Sequence, residues 1–136
     1  MEPRLSLVTL AVADVARSRA FYKALGWEPA FAMDDIAFYQ LGGMAFSLWE
    51  RKAFVAETGL PAASGGICLA HNVRDAKAVD ALLKEAGKAG AKVVAATKRE
   101  WGGYSGHFRD PDGHTWEVAW NPAWALDAAG NVRVQA

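Results

Sequence analysis

The stretch DVARSRAFYKALG, residues 14–26, decides how the rest of the chain is read, because its pattern comes back as DAKAVDALLKEA at residues 75–86. Each stretch opens on an aspartate whose side chain suits a helix N-cap, Asp14 in one and Asp75 in the other. Behind the caps, Ser18, Phe21, Tyr22 and Leu25 fall at helical spacing, and a constant offset of 61 carries them onto Val79, Leu82, Leu83 and Ala86. Gly26 stops the first helix. In front of each cap runs a strand-like segment, residues 5–12 and 67–73. One strand-then-helix unit is therefore laid out twice.

Each helix is followed by three more strand candidates, at 27–31, 36–41 and 44–49 in the first copy and at 92–97, 104–109 and 114–120 in the second. Both copies close on a hairpin whose turn carries a glycine for a left-handed position, Gly43 and Gly113. The glycines lie 70 apart, against 61 for the helices, so the second copy is longer between helix and hairpin. The surplus falls at 98–103, where Trp101, Gly102 and Gly103 read as a loop able to cover a site. Residues 51–65, with Gly59, Pro61, Ser64 and Gly65, read as a linker. The expected organisation is one domain: module one at 4–50, the linker, module two at 66–121, and an extension at 122–136. That extension, with Pro122, Trp124 and Leu126 before a short run at 132–134, suits the cover of a sheet edge or a dimer seam. Each module is βαβββ, an α+β arrangement with a helix on one face of a sheet. On the residues alone, a tandem of ferredoxin-like halves fits as well.

The 136 residues make one ordinary domain. Fifteen basic and fifteen acidic residues cancel, and no run of like charge offers a track for nucleic acid or a membrane surface. Cys68 is the sole cysteine and has no disulfide partner within the chain. Glu2 and Arg4 stand at the start with no apolar stretch of signal-peptide length, so a cytoplasmic location is expected. There is no GxSxG elbow, phosphate loop or CxxC pair. Six tryptophans, at 27, 49, 101, 116, 120 and 124, must fill a core, line a pocket or make an interface.

Val12 and Asp14, then FYKALGW at 21–27, then FRDPDGHTWEV at 108–118 resemble the pattern of the vicinal oxygen chelate superfamily of glyoxalases, bleomycin-resistance proteins and extradiol dioxygenases. The resemblance covers nearly the whole chain. It implies two βαβββ modules whose sheets together curve around a central cavity, usually within a homodimer. In the metal-dependent members, the first and last strands of each module hold one divalent cation with up to four side chains. Carried onto this sequence, those positions are Glu117, its offset partner Ser47, and Leu7 with its counterpart Cys68, or Gly66 if that strand is shifted by two residues. Glu117 alone is a good ligand among them. The resemblance thus implies a cavity with no metal or other cofactor, as in the bleomycin-resistance-like members.

Strand alternation turns Glu117 away from Trp116 and Val118, into the cavity, as a catalytic acid/base or a ligand acceptor whose pKa burial would raise. The same alternation places Tyr104, Phe108, Thr115 and Ala119 beside it, and Ile36, Phe38, Ala45, Ser47 and Trp49 on the matching face of module one. The expected ligand-binding set is Phe38, Ser47, Trp49, Trp101, Tyr104 and Phe108, with Trp49 and Tyr104 as stacking platforms and Trp101 at the rim. Asp110, Pro111, Asp112 and Gly113 are turn residues. His71, His107 and His114 are expected to face away from the cavity. Two functions stay open: metal-independent binding of an apolar or aromatic small molecule, or a glyoxalase-type lyase, isomerase or dioxygenase. The second would use Glu117 with an unorthodox metal set or as a metal-free acid/base. A third, a dimeric scaffold, is not excluded by any residue.

Overall fold

A computed structural model of the chain describes residues 3, 6–58 (without the side chain of Thr58), 60–63, 65 and 67–132. Residue 5 of the first expected strand, Gly59, Ser64 and Gly66 of the linker region, and the end of the 132–134 run lie outside the described residues. The chain divides into two compact units, Met1–Ser64 and Gly65–Ala136.

Unit one runs β1 (Leu7–Val12), α1 (Val15–Ala24), β2 (Phe31–Ala32), β3 (Ile36–Leu41), β4 (Met44–Glu50) and α2 (Arg51–Thr58). Its sheet has the order β1-β4-β3-β2, with β1 parallel to β4 and the other pairs antiparallel. The Asp14 carboxylate accepts the Arg17 N–H at 3.0 Å and so starts α1, as its position before the apolar stripe dictates. Val15, Ser18, Phe21 and Tyr22 form the buried face of that helix. Tyr22 sits edge-on to Phe46 at 5.3 Å and stacks on Trp27 at 5.6 Å, and Tyr39 closes the cluster. Burying one such ring contributes about 1.5–3 kcal/mol, so this aromatic face holds helix to sheet.

Three expectations are corrected here. The strand expected at 27–31 shrinks to Phe31–Ala32, because Trp27 is drawn into the helix end, its N–H bonded to the Tyr22 carbonyl at 2.9 Å. The linker expected at 51–65 begins with a helix, α2, nucleated where the Glu50 carboxylate takes the Ala53 N–H at 2.9 Å. RKAFVAET has no glycine or proline to stop it. In the β3–β4 hairpin the left-handed residue is Gly42, with φ +59°, rather than Gly43.

Unit two repeats the plan as β5 (Cys68–Asn72), α3 (Ala76–Lys88), β6 (Lys92–Lys98), β7 (Tyr104–Arg109) and β8 (Thr115–Trp120), in the sheet order β5-β8-β7-β6. Asp75 caps α3 through the Ala78 N–H at 2.8 Å. Val79, Leu83 and Ala86 are the buried face of α3, which packs on β6, β7 and β8. Phe108 stacks on Trp116, with ring centroids 6.0 Å apart and the planes within 8° of parallel. Register is broken between Val94 and Thr97 of β6 by an irregularity that Gly106 accommodates. A Cβ at Gly106 would lie 2.6 Å from Leu83 Cδ1 and 2.8 Å from both the Ala96 nitrogen and the Val94 oxygen.

The extension folds onto its own unit: Arg74 donates to the carbonyls of Asp127 at 2.9 Å and Leu126 at 3.4 Å, and Leu126 bridges to Val132. No helix among the described residues is long and apolar enough to cross a membrane. Gly106→Ala should lower unfolding free energy by about 1–3 kcal/mol, because two of the three contacts are backbone that cannot move aside. Gly43→Ala, with no atom within 4 Å, should change it by less than about 0.5 kcal/mol. Denaturant unfolding of both variants checks the difference.

Candidate functional site

The β7–β8 hairpin positions Glu117, and its turn is built by Asp110. The Asp110 carboxylate, almost wholly buried, accepts the N–H groups of Asp112 at 3.0 Å and His114 at 2.9 Å, while the Asp110 N–H donates to the His114 carbonyl at 3.0 Å. Asp110 and His114 thus close the ladder, with Pro111, Asp112 and Gly113 (φ +84°) as a three-residue turn. Arg109 then pairs with Thr115, Phe108 with Trp116 and His107 with Glu117.

This register corrects the expected alternation. With His114 counted as the first residue of the strand, Phe108 and Tyr104 fall beside Glu117. With His114 paired instead to Asp110 across a three-residue turn, both move to the helix-covered face and His107 takes their place, since a one-residue slip flips every side chain. Phe108 is accordingly buried against Trp116. The Tyr104 hydroxyl donates to Asp80 of α3 at 2.9 Å. His107 lies with its Nε2 4.0 Å from a Glu117 oxygen, each side chain about one third exposed. His71 pairs with Val118, on the face away from Glu117 as expected.

Around the His107–Glu117 pair, the open face of the second sheet carries Ser105 and Arg109 from β7, Thr115 and Ala119 from β8, and Cys68, Ala70 and Asn72 from β5. Arg99, just beyond β6, donates from Nε to the Ser105 hydroxyl at 2.9 Å and from Nη2 to the Ser105 carbonyl at 3.0 Å. Burial, reinforced by the nearby Glu117 charge and opposed by the Glu117 backbone N–H, pushes the Cys68 thiol up, which keeps it protonated at neutral pH. Arg99, His107 and Asn72 were not among the expected site residues; the odd-length turn is the signal that reveals His107.

In unit one the expected face is found: Ser47 pairs with Phe38 and with Thr9, and Trp49 with Ile36 and Ala11. Ser47 is fully buried and its hydroxyl is 2.7 Å from that of Thr9. Trp49 is edge-on to Phe54 of α2 at 5.9 Å, so one of its faces is used in packing. Phe38 pairs with Phe31, which is 55% exposed, leaving an apolar edge. Trp101, half exposed, lies in the turn between β6 and β7 with its ring across Gly103, where a Cβ would overlap the indole.

The family model for the Glyoxalase/Bleomycin resistance protein/Dioxygenase superfamily matches residues 4–118. The chain belongs to this superfamily. Among solved structures, a glyoxalase-related enzyme from Fulvimarina pelagi is 34% identical with a TM-score of 0.93, the match covering 98% of this chain and 99% of that one. A hypothetical protein from S. aureus is 28% identical with a TM-score of 0.76, covering 88% and 94%. A lactoylglutathione lyase from Agrobacterium tumefaciens shares the fold at 22% identity and a TM-score of 0.69, covering 87% and 93%. No curated protein matches the chain.

The superfamily implies a divalent metal in many members, and the residues here do not fit one. Unit one offers the hydrocarbon of Leu7 and the Ser47 hydroxyl already engaged with Thr9, and unit two a protonated thiol and the Glu117 carboxylate.

The Asp80 carboxylate holds the Tyr104 phenol above its ordinary pKa, chiefly through the hydrogen bond. A proton held more tightly in the folded state favours folding below the ordinary tyrosine pKa, and that contribution disappears as pH rises through the raised value. Asp80→Asn should move the Tyr104 titration down toward pH 10. Ultraviolet titration of tyrosinate, with Tyr104→Phe as the reference, reads the shift; an unmoved curve contradicts the bond.

Proposed function

We propose that this superfamily member binds a small organic molecule without a metal, at the open face of the second sheet, with Glu117 as the hydrogen-bond acceptor. The observation that carries this reading is the Glu117 carboxylate itself, two-thirds buried on a sheet face, with His107 as its only ion-pair partner among the described residues. Such a carboxylate is costly to hold in place for packing alone. Unit one, taken by itself, carries apolar and aromatic surface at the Phe31–Phe38 edge and at Trp49. Trp101 is a rim residue in this reading, whereas Phe108 contributes through the core behind the sheet and Tyr104 through its bond to Asp80 of α3.

A second reading is favoured by the 4.0 Å separation of His107 and Glu117 and by the likeness to a glyoxalase-related enzyme. In it the pair performs metal-free acid/base chemistry of the lyase or isomerase kind: Glu117 takes a proton from the bound molecule and His107 steadies or relays it.

Glu117→Gln separates the two. A binder loses roughly tenfold in affinity, the scale of one charge-assisted hydrogen bond, and a chelator changes nothing in either protein. An acid/base enzyme keeps its ligand and loses turnover by about 100-fold or more. Isothermal titration and turnover assays with and without chelator report both, and a chelator-sensitive affinity would contradict the metal-free reading. We propose further that the chain works as a homodimer. Light scattering at micromolar concentration should give twice the 14.6 kDa chain mass, and a monomer would refute it.

A further inference from the structure

Arg99 turns back from the end of β6 onto the face that carries Glu117. Its two bonds go to the hydroxyl and the carbonyl of Ser105, a residue with no exposed surface, so the guanidinium is a fixed plane rather than a waving chain. Two of its five N–H donors are used in this way. Among the described residues the Arg99 side chain makes no other hydrogen bond or ion pair.

Ser105 pairs with Ala119, and Ala119 pairs with Asn72. The three therefore form one row across the sheet, with the Asn72 amide at one end, the Ser105-anchored guanidinium at the other and a methyl group between. Asn72 too has no side-chain partner among the described residues. The short, almost wholly buried Ala119 side chain lies between two groups rich in N–H donors. Ala119 is two residues along β8 from Glu117, roughly 7 Å at the rise of a strand.

We propose that the space between Arg99 and Asn72, over Ala119, is a recess that takes an anionic group of the ligand, a carboxylate or a phosphate, while Glu117 takes a hydrogen-bond donor or a removable proton about 7 Å away on the same molecule. The ligand class is then a small organic acid with a donor at its far end. A planar guanidinium with free N–H donors matches a carboxylate or phosphate edge in two-point fashion, which a neutral group cannot reproduce. This rests on the reading of the Glu117 face as the ligand site.

The test uses the full chain, nitrogen-15 labelled, titrated with 4-hydroxybenzoate, 4-hydroxyphenyl phosphate and the neutral 4-hydroxybenzamide while backbone amide shifts are followed. Expected are shifts at residues 72, 99, 105 and 119 and at least tenfold tighter binding of one or both anions than of the amide. The tighter anion identifies the source. Arg99→Gln should erase the preference and Arg99→Lys keep part of it. Ser105→Ala, which frees the guanidinium without removing its charge, should reduce the preference and guards against a misfolded Arg99→Gln. Equal binding of acid and amide, or a preference that survives Arg99→Gln, overturns the proposal. If Glu117→Gln still weakens all three probes in that case, the ligand face stands and only its anion recess falls. If no probe shifts residues 107 and 117, both fall together.

Discussion

The arrangement of the second unit depends on one buried carboxylate in a turn. Asp110 gathers the N–H groups of Asp112 and His114 and exchanges a further bond with the His114 carbonyl. That pairs His114 with Asp110 rather than with Arg109, and the parity of every pair behind it follows. His107 comes to Glu117, Phe108 to Trp116 and Ser105 to Ala119. Moving the closing pair by one residue would put Phe108 and Glu117 on one face, either burying the carboxylate under α3 or exposing the ring. The chemistry of the open face is thus a consequence of the geometry of the turn that joins its two strands.

The two units use the same topology for different surfaces. In unit one the helix-covered face is aromatic, built on Tyr22, Tyr39 and Phe46, and the opposite face carries the Thr9–Ser47 hydroxyl pair beside Phe38 and Trp49. In unit two the core is mostly aliphatic apart from the stacked Phe108–Trp116 pair, and the opposite face carries Glu117, His107, Arg109 and the anchored Arg99. Ser47 and Glu117 occupy matching places, each on the last strand of its unit and each beside the first strand, opposite Thr9 and Ala70 respectively. The duplication therefore preserved the scaffold while the ionisable chemistry concentrated in one half.

The repeat was legible in the sequence because it is written in strong local signals: Asp14 and Asp75 cap their helices, and the stripes behind them are buried as their spacing requires. The face of unit one was legible too, since a two-residue turn between Leu41 and Met44 leaves no doubt about parity. The face of unit two was not. DPDG announces a turn, but whether His114 pairs with Asp110 or with Arg109 is decided by a side-chain hydrogen bond that no periodicity encodes, and that one residue exchanged Phe108 and Tyr104 for His107. Arg99 escaped notice because its place on the Glu117 face comes from its bonds to Ser105, not from membership of a strand. Helix α2 hid because the glycine and proline signals after residue 58 outweighed the helix-forming RKAFVAET before them.

The register of the β7–β8 hairpin is the central claim, and cross-strand nuclear Overhauser contacts in solution test it most directly. The account predicts ring-to-ring contacts between Phe108 and Trp116, contacts from the His107 ring to the Glu117 side-chain methylenes, and none from Phe108 to Glu117. A pattern linking Phe108 with Thr115 and Gly106 with Glu117 would be the one-residue slip, and would contradict the placement of every residue on the proposed ligand face.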